Sequence, residues 1–157
     1  MAITTTICNS FKTEVLNGLH NFNGASANTF KLLLLKVGAT GTYDKNVTNV
    51  GTPGSGSPTT SNVGTDEASG TGYSSGGFTM TGVAVTLSTD TAIVDWTTDP
   101  NWPNASVSAI GAVLYNSTNS NRAVACFDFG GTVTSTGATF TVTLPAAAAA
   151  TATVRIA

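Results

Sequence analysis

The sequence predicts an all-β domain over residues 1–157, with one short helix near its start. Three observations predict it. Helical periodicity occurs only before residue 24, and β-type runs separated by turn residues follow it. Threonine, a β-branched residue that favours strands, occurs 29 times in 157 residues. Short strands at intervals of about ten to fifteen residues indicate a jelly-roll-like or related β-sandwich.

The helix is predicted over residues 10–23. Asn9 or Ser10 can cap its start, the Asn-Gly step at 23–24 suits its end, and Gly18 weakens it modestly. The apolar side chains that share one helical face are Phe11, Val15, Leu16, Leu19 and Phe22.

Seven runs of strand-forming residues follow the helix. The first contains four consecutive leucines, so it is either buried on both faces or pressed against a partner subunit. Turn residues separate the runs, including a Gly-Gly pair at 130–131. The predicted strands cover residues 30–37, 78–87, 91–96, 107–115, 122–129, 138–144 and 153–156.

Two segments fall outside this pattern. Residues 1–9 form an N-terminal arm whose Ile3 and Ile7 suit a strand, and the arm can pair either with its own domain or with the edge of another chain. Residues 38–77 form a loop rich in Gly, Ser and Thr. A loop of this length is either functional and ordered by a partner or a flexible surface loop.

Composition narrows the function classes. Only 9% of residues are charged and the formal net charge is −2, so a basic patch that neutralises nucleic-acid phosphates is not expected. No apolar run approaches the roughly 20 residues that span a bilayer, so no membrane association is expected. Two cysteines 118 residues apart and no C-x-x-C motif favour buried free thiols at Cys8 and Cys126, in a protein folded in a reducing cytosol, over a single disulfide.

Chemistry-bearing residues are few. The only histidine, His20, is expected to be a satisfied side chain at the helix end rather than a base or ligand. Asp95 and Asp99 flank Trp96, as in a glycosidase cleft, but structural roles or a structural calcium are alternatives. We therefore expect no enzymatic activity, with no catalytic, cofactor-binding or metal-binding residues. Trp96 and Trp102 either plug one end of the sandwich or stack on sugar rings.

Eight segments together resemble a family of small virion structural proteins of tailed bacteriophages. The most distinctive is EASGTGYSSGG at 67–77, and the chain departs from the family pattern at 51–61, where it is expanded. The other segments are ICNSFK at 7–12, TFKL at 29–32, DPNW at 99–102, AVLYN at 112–116, NRAVACFDFG at 121–130, LPAA at 144–147 and VRIA at 154–157.

The resemblance implies a non-enzymatic protein that decorates or cements a capsid. Its implied partner is the major capsid protein, and its implied oligomeric state is a homotrimer. Its implied location is the capsid surface of the virion, after synthesis in the host bacterial cytoplasm. The leucine run at 32–35 is a second reason to expect subunit contacts. The alternative is a tail-associated receptor- or glycan-binding module that uses the aromatic side chains Tyr73, Trp96, Trp102 and Tyr115.

Overall fold

The computed structural model describes residues 2–157, with 46% of the chain in strands and 9% in helices, as expected for an all-β protein. Short 3-10 turns occur at Gly24–Ser26 and Gly64–Asp66. The elements, in chain order, are β1 Ala2–Ile3, β2 Thr6–Ile7, α1 Asn9–Leu16, β3 Phe30–Lys36, β4 Thr42–Tyr43, β5 Phe78–Thr79, β6 Val83–Ser88, β7 Thr91–Trp96, β8 Asn101–Asn116, β9 Arg122–Thr141 and β10 Val154–Ile156.

The described strands form three sheets. An antiparallel sheet of five strands has the order β2-β9-β8-β3-β5, and an antiparallel sheet of three strands has the order β10-β7-β6. The third is a parallel pair of β1 and β4. Phe22 joins the two larger sheets, because its ring stacks on Phe30 of β3 at 4.6 Å and meets Trp96 of β7 edge-on at 6.3 Å.

The leucine run lies in β3, between β8 and the short edge strand β5 of the larger sheet. Leu32, Leu33, Leu34 and Leu35 are all fully buried within the chain. Since side chains alternate between the two faces of a strand, both faces of β3 are covered. The run is therefore explained by the protomer's own core, and it gives no support for a subunit interface.

The β8–β9 hairpin is longer than the sequence indicated. The strands predicted at 107–115 and 122–129 lie within β8 and β9, and the strand predicted at 138–144 is the last part of β9, which ends at Thr141. The Gly-Gly pair at 130–131 is not a turn between strands. It lies in a bulge, where the pairing shifts between Ala109 and Gly111 on β8 and between Val133 and Asp128 on β9.

The predicted helix over 10–23 is too long, because α1 ends at Leu16. Gly18 has a φ of +73°, and the N–H groups of Gly18 and Leu19 donate to the carbonyls of Val15 and Glu14. This pair of bonds is a Schellman motif, which ends a helix at a left-handed glycine. Cys8 takes the N-cap position with no side-chain cap, so the predicted caps at Asn9 and Ser10 are also wrong.

The N-terminal arm pairs with its own domain. β1 lies parallel to β4, and β2 pairs with Cys126 and Ala125 of β9. The Thr4 N–H donates to the Tyr43 carbonyl at 2.9 Å, and the Ile3 side chain lies against Gly111. The alternative in which the arm adds to another chain's sheet is therefore wrong for this structure.

Deleting residues 2–6 is expected to lower the free energy of unfolding by about 2 kcal/mol, because it removes strand pairing and the half-buried Ile3. Urea denaturation measures the change. Removal of the exposed terminal residue Ala157 is the control and should leave the midpoint unchanged. An unchanged midpoint after the arm deletion would show that the arm is not part of the folded domain.

Candidate functional site

The Gly-rich loop at 38–77 is ordered by its own chain. Val47, Val50 and Val63 from this loop are buried in the core. Two adjacent buried carboxylates, Asp66 and Glu67, collect hydrogen-bond donors from the rest of the loop. Neither expectation for this segment, a flexible surface loop or a loop ordered by a partner, describes the structure.

Asp66 fixes the first turn of this loop. Its Oδ2 accepts hydrogen bonds from the backbone N–H groups of Thr40 and Gly41 at 2.8 and 2.7 Å, and from the Tyr43 hydroxyl at 2.8 Å. The Lys36 ammonium lies 3.7 Å from Oδ1. Burial, and then the hydrogen bond to Asp66, raise the pKa of Tyr43, so this phenol stays protonated as a donor.

Glu67 fixes the second half of the loop, which is the segment most distinctive of the family resemblance. Its Oε1 accepts from the Tyr73 hydroxyl at 2.9 Å and the Gly76 N–H at 2.6 Å, and its Oε2 accepts from the Ser75 hydroxyl at 2.6 Å. The Tyr115 hydroxyl donates to the Gly76 carbonyl at 2.7 Å. Burial, and then the charge of Glu67, raise the pKa of Tyr115 to about 12.

A second buried polar cluster holds α1 against the β8–β9 hairpin. Glu14 accepts from His20 Nε2 at 2.9 Å and from the Arg122 guanidinium at 2.6 Å. The His20 Nδ1 faces the Asn116 amide nitrogen at 3.1 Å, and that nitrogen also donates to Asn28 at 2.9 Å. Both ring nitrogens of His20 are thus engaged, and the ring is a structural link rather than a base open to a substrate.

The protein is expected to lose stability as pH falls below about 6.5. Burial lowers the pKa of His20 from its ordinary 6.5, which outweighs the raising effect of Glu14. Below pH 6.5 the unfolded chain binds a proton at His20 that the folded chain excludes. The folded state therefore loses stability progressively as the pH falls from 6.5 to the lowered pKa of His20. The slope for one proton is at most about 1.4 kcal/mol per pH unit.

Urea denaturation of the protein and of His20→Gln between pH 5 and 7 tests this expectation. The variant has no histidine, so its stability should change less over this range than that of the parent chain. Equal slopes for the two proteins would contradict the assignment.

Asp95 and Asp99, the carboxylates that flank Trp96, lie in different segments, one within β7 and the other just before β8. The Oδ1 of Asp99 accepts a hydrogen bond from the Leu144 N–H at 2.8 Å, which fixes the chain after β9. Asp95 lies on β7, in register with Ala84 of β6. Over residues 2–157, no group of three or more His, Cys, Asp or Glu side chains is arranged to hold a metal ion.

The aromatic residues considered for glycan binding lie inside the protein. Trp96 and Trp102 are 4% exposed and Tyr115 is 2% exposed. Tyr73 is half-buried, with its ring 5.5 Å from that of Trp102 and its hydroxyl bound to Glu67. Both tryptophans therefore belong to the core and offer no face on which a sugar ring could stack.

Cys8 and Cys126 are buried free thiols. The Cys126 thiol donates to the Asp44 carbonyl, with the sulfur 3.7 Å from that oxygen. A hydrogen bond with the Cys8 side chain, and then burial, raise the pKa of Cys126, so it remains a thiol. The pair lies where β2 meets β9, and it packs as part of the core.

An apolar surface remains uncovered between α1 and the three-stranded sheet. Leu16, Val85 and Ile156 line an open groove of about 550 Å³ there, and they are 85%, 55% and 59% exposed. Leu87, at 74%, lies two residues beyond Val85 on the same sheet face. Four of the six large apolar side chains that are exposed in residues 2–157 thus share one side of the molecule.

The fold and these clusters define a mostly β protein with an internally braced Gly-rich loop. No family model, curated protein or solved structure matches this chain. Within residues 2–157, no helix combines the length and apolar character that crossing a membrane requires. The sequence singled out His20 and the 67–77 segment, but it did not indicate that Glu14, Asp66 and Glu67 are buried acceptors. The only sign in the sequence was that Asp66 and Glu67 are adjacent and are the only charged residues between positions 46 and 77.

Proposed function

We propose that the chain is a non-enzymatic virion structural protein that decorates a bacteriophage capsid and stabilises the shell through contacts with the major capsid protein. The family resemblance supports this proposal, and its most distinctive segment, residues 67–77, is the part of the loop that Glu67 braces. Within the proposal, the five-stranded and three-stranded sheets form a jelly-roll-like sandwich.

The structural observation that carries the proposal is the long open edge of β9. β2 pairs with Cys126 and Ala125, and the Asp128 N–H donates to the Thr5 hydroxyl of the N-terminal arm. Beyond Asp128, β9 has no neighbouring strand on that side of the sheet within the described residues. This stretch is rich in Thr, Gly and Ser, and most of its side chains from Asp128 to Thr139 are exposed. Such an edge can accept an extended strand of a shell protein through main-chain hydrogen bonds.

The other roles implied by the sequence have less support. The homotrimer now rests on the resemblance alone, because the leucine run is buried within the protomer. The glycan-binding alternative is not favoured, because Trp96, Trp102 and Tyr115 are buried and cannot stack on a sugar ring.

Cosedimentation of the purified protein with capsids of the phage that encodes it tests the proposed function. We expect many copies distributed over the shell, and we expect Val133→Lys on the exposed part of β9 to weaken binding, because a charge on an edge strand opposes pairing. Leu87→Lys, on the other sheet, is the matched control and should bind normally. Absence from the capsid, or a location only at the tail, would contradict the proposal.

A further inference from the structure

The two cysteines of the chain lie side by side where the N-terminal arm meets β9. Thr6 of β2 lies opposite Cys126 of β9. The Cys8 N–H continues this pairing with a hydrogen bond to the Val124 carbonyl at 2.9 Å. Residues two apart on a strand point to the same face, so Cys8 and Cys126 are diagonal neighbours on one face of the strand pair.

The two side chains are also in contact inside the core. Both cysteines are 0% exposed, and a hydrogen bond joins their side chains. The Cys126 sulfur lies 3.7 Å from the Asp44 carbonyl oxygen, which keeps this thiol at the contact. The chain contains only these two cysteines, so each is the only intrachain disulfide partner of the other.

The N-terminal arm can move enough to allow a bond between the two sulfurs. Diagonal neighbours have Cα atoms about 7–8 Å apart and a disulfide spans about 4.4–6.8 Å, so bond formation draws Cys8 towards β9 by roughly 1 Å. β1 and β2 hold the arm through only two residue pairs each. Such short pairings open more often than core strands, and opening uncovers the Cys8 thiol.

We propose that Cys8 and Cys126 form a redox site, at which a small-molecule disulfide such as oxidised glutathione converts the two thiols into an intrachain disulfide. The bond ties the N-terminal arm to β9. The inference does not rest on the proposed function, because both thiols and all their contacts lie within one protomer.

The reaction takes two exchange steps. While the arm is open, the Cys8 thiolate attacks one sulfur of oxidised glutathione, which forms a mixed disulfide and releases one glutathione thiolate. Before the arm closes fully, the Cys126 thiolate attacks the Cys8 sulfur and releases the second glutathione thiolate. The protein thiols lose two electrons, which the glutathione disulfide gains, and their two protons pass to the glutathione thiolates.

The bond should stabilise the protein and resist reduction. It joins residues 118 apart, and a cross-link over so much of the chain removes much of the conformational freedom of the unfolded state. When the arm closes, the bond occupies a site where both cysteines are fully buried. A reductant therefore reaches it only when the arm opens again.

Mass spectrometry after incubation with about 5 mM oxidised glutathione at pH 8 tests the site. We expect a monomer about 2 Da lighter than the reduced chain, with no free thiol and a raised urea midpoint. Cys126→Ala is the control, and it should keep a glutathione adduct of about 305 Da and show no rise in midpoint. A stable adduct on the parent chain, a disulfide-linked dimer, or two thiols still free after a day would overturn the proposal.

The rate of thiol loss tests the route through arm opening. Ile3 is half-buried against Gly111, so Ile3→Ala should raise the population of the open arm and speed oxidation about fivefold. Leu87→Ala, at an exposed position in the other large sheet, is the matched control and should react at the parent rate. Equal rates for Ile3→Ala and the parent chain would show that the arm does not control the site.

Discussion

Glu67→Ala is expected to lower the free energy of unfolding by about 3–5 kcal/mol. Glu67 is 5% exposed, and its carboxylate accepts from Tyr73, Ser75 and Gly76. Truncation leaves the half-buried Tyr73 hydroxyl and the buried Gly76 N–H without this acceptor, and it opens a cavity. Urea denaturation followed by tryptophan fluorescence measures the loss.

Glu67→Gln is the matched control, with an expected loss of only about 1 kcal/mol. The amide oxygen can take the place of Oε1, which accepts from both Tyr73 and Gly76. The amide nitrogen then faces the Ser75 hydroxyl, which can rotate to accept a hydrogen bond. If the Ala and Gln variants lose the same stability, the negative charge matters more than the hydrogen-bond geometry, and the account given for this loop is wrong.

Gly77→Ala is expected to destabilise the fold by about 3 kcal/mol or more. Gly77 has a φ of +77°, and a Cβ atom at this position would lie 2.0 Å from the Leu32 carbonyl oxygen and 2.6 Å from the Leu33 Cα. Both contacts are with the backbone of β3, which pairs with β8 and β5, so neither neighbour can move without breaking strand pairing. Thermal and urea unfolding should show the loss.

Gly38→Ala separates the steric clash from backbone strain. Gly38 has nearly the same φ, +75°, but a Cβ atom there meets nothing within 4 Å. The expected cost is the left-handed conformation alone, about 1–2 kcal/mol. The difference between the two variants measures how tightly the 67–77 segment packs on β3. Equal losses would show that this segment can move away from the sheet.

Together these variants test the internal bracing of the Gly-rich loop. Its composition suggested mobility, because glycine and small polar residues bury little apolar surface. The structure instead anchors it through polar contacts to two carboxylates and through close backbone approach to β3. A decoration protein with such a loop would keep the shape of its surface under stress, which agrees with the proposed role.

Local patterning was sufficient to predict several elements. β7 spans Thr91–Trp96, as the sequence predicted, and β3 differs from its predicted range by one residue. Both runs are continuous and bounded by turn residues, so their limits depend on neighbours along the chain. The all-β class follows from the same alternation of strand runs and turns, and from the abundance of threonine.

Other features depended on contacts between distant residues. The helix ends at Leu16, just before the left-handed Gly18, although its apolar periodicity continues to Phe22. Phe22 packs between Phe30 and Trp96 instead of on a helical face. The Gly-Gly pair at 130–131 is typical of a turn when only its sequence neighbours are considered. In the structure it lies in a bulge within the long antiparallel pairing of β8 with β9.

The sequence by itself determined the β class, the sparse charge and the small set of reactive side chains, because these depend on composition and local pattern. Only the tertiary structure decided that the arm pairs with its own domain and that the leucine run is covered within the protomer. It also decided that Glu67 is a buried acceptor and that Cys8 lies beside Cys126. Each of these features depends on which segments become neighbours in the folded protein. Packing between residues far apart in the chain determines those neighbours.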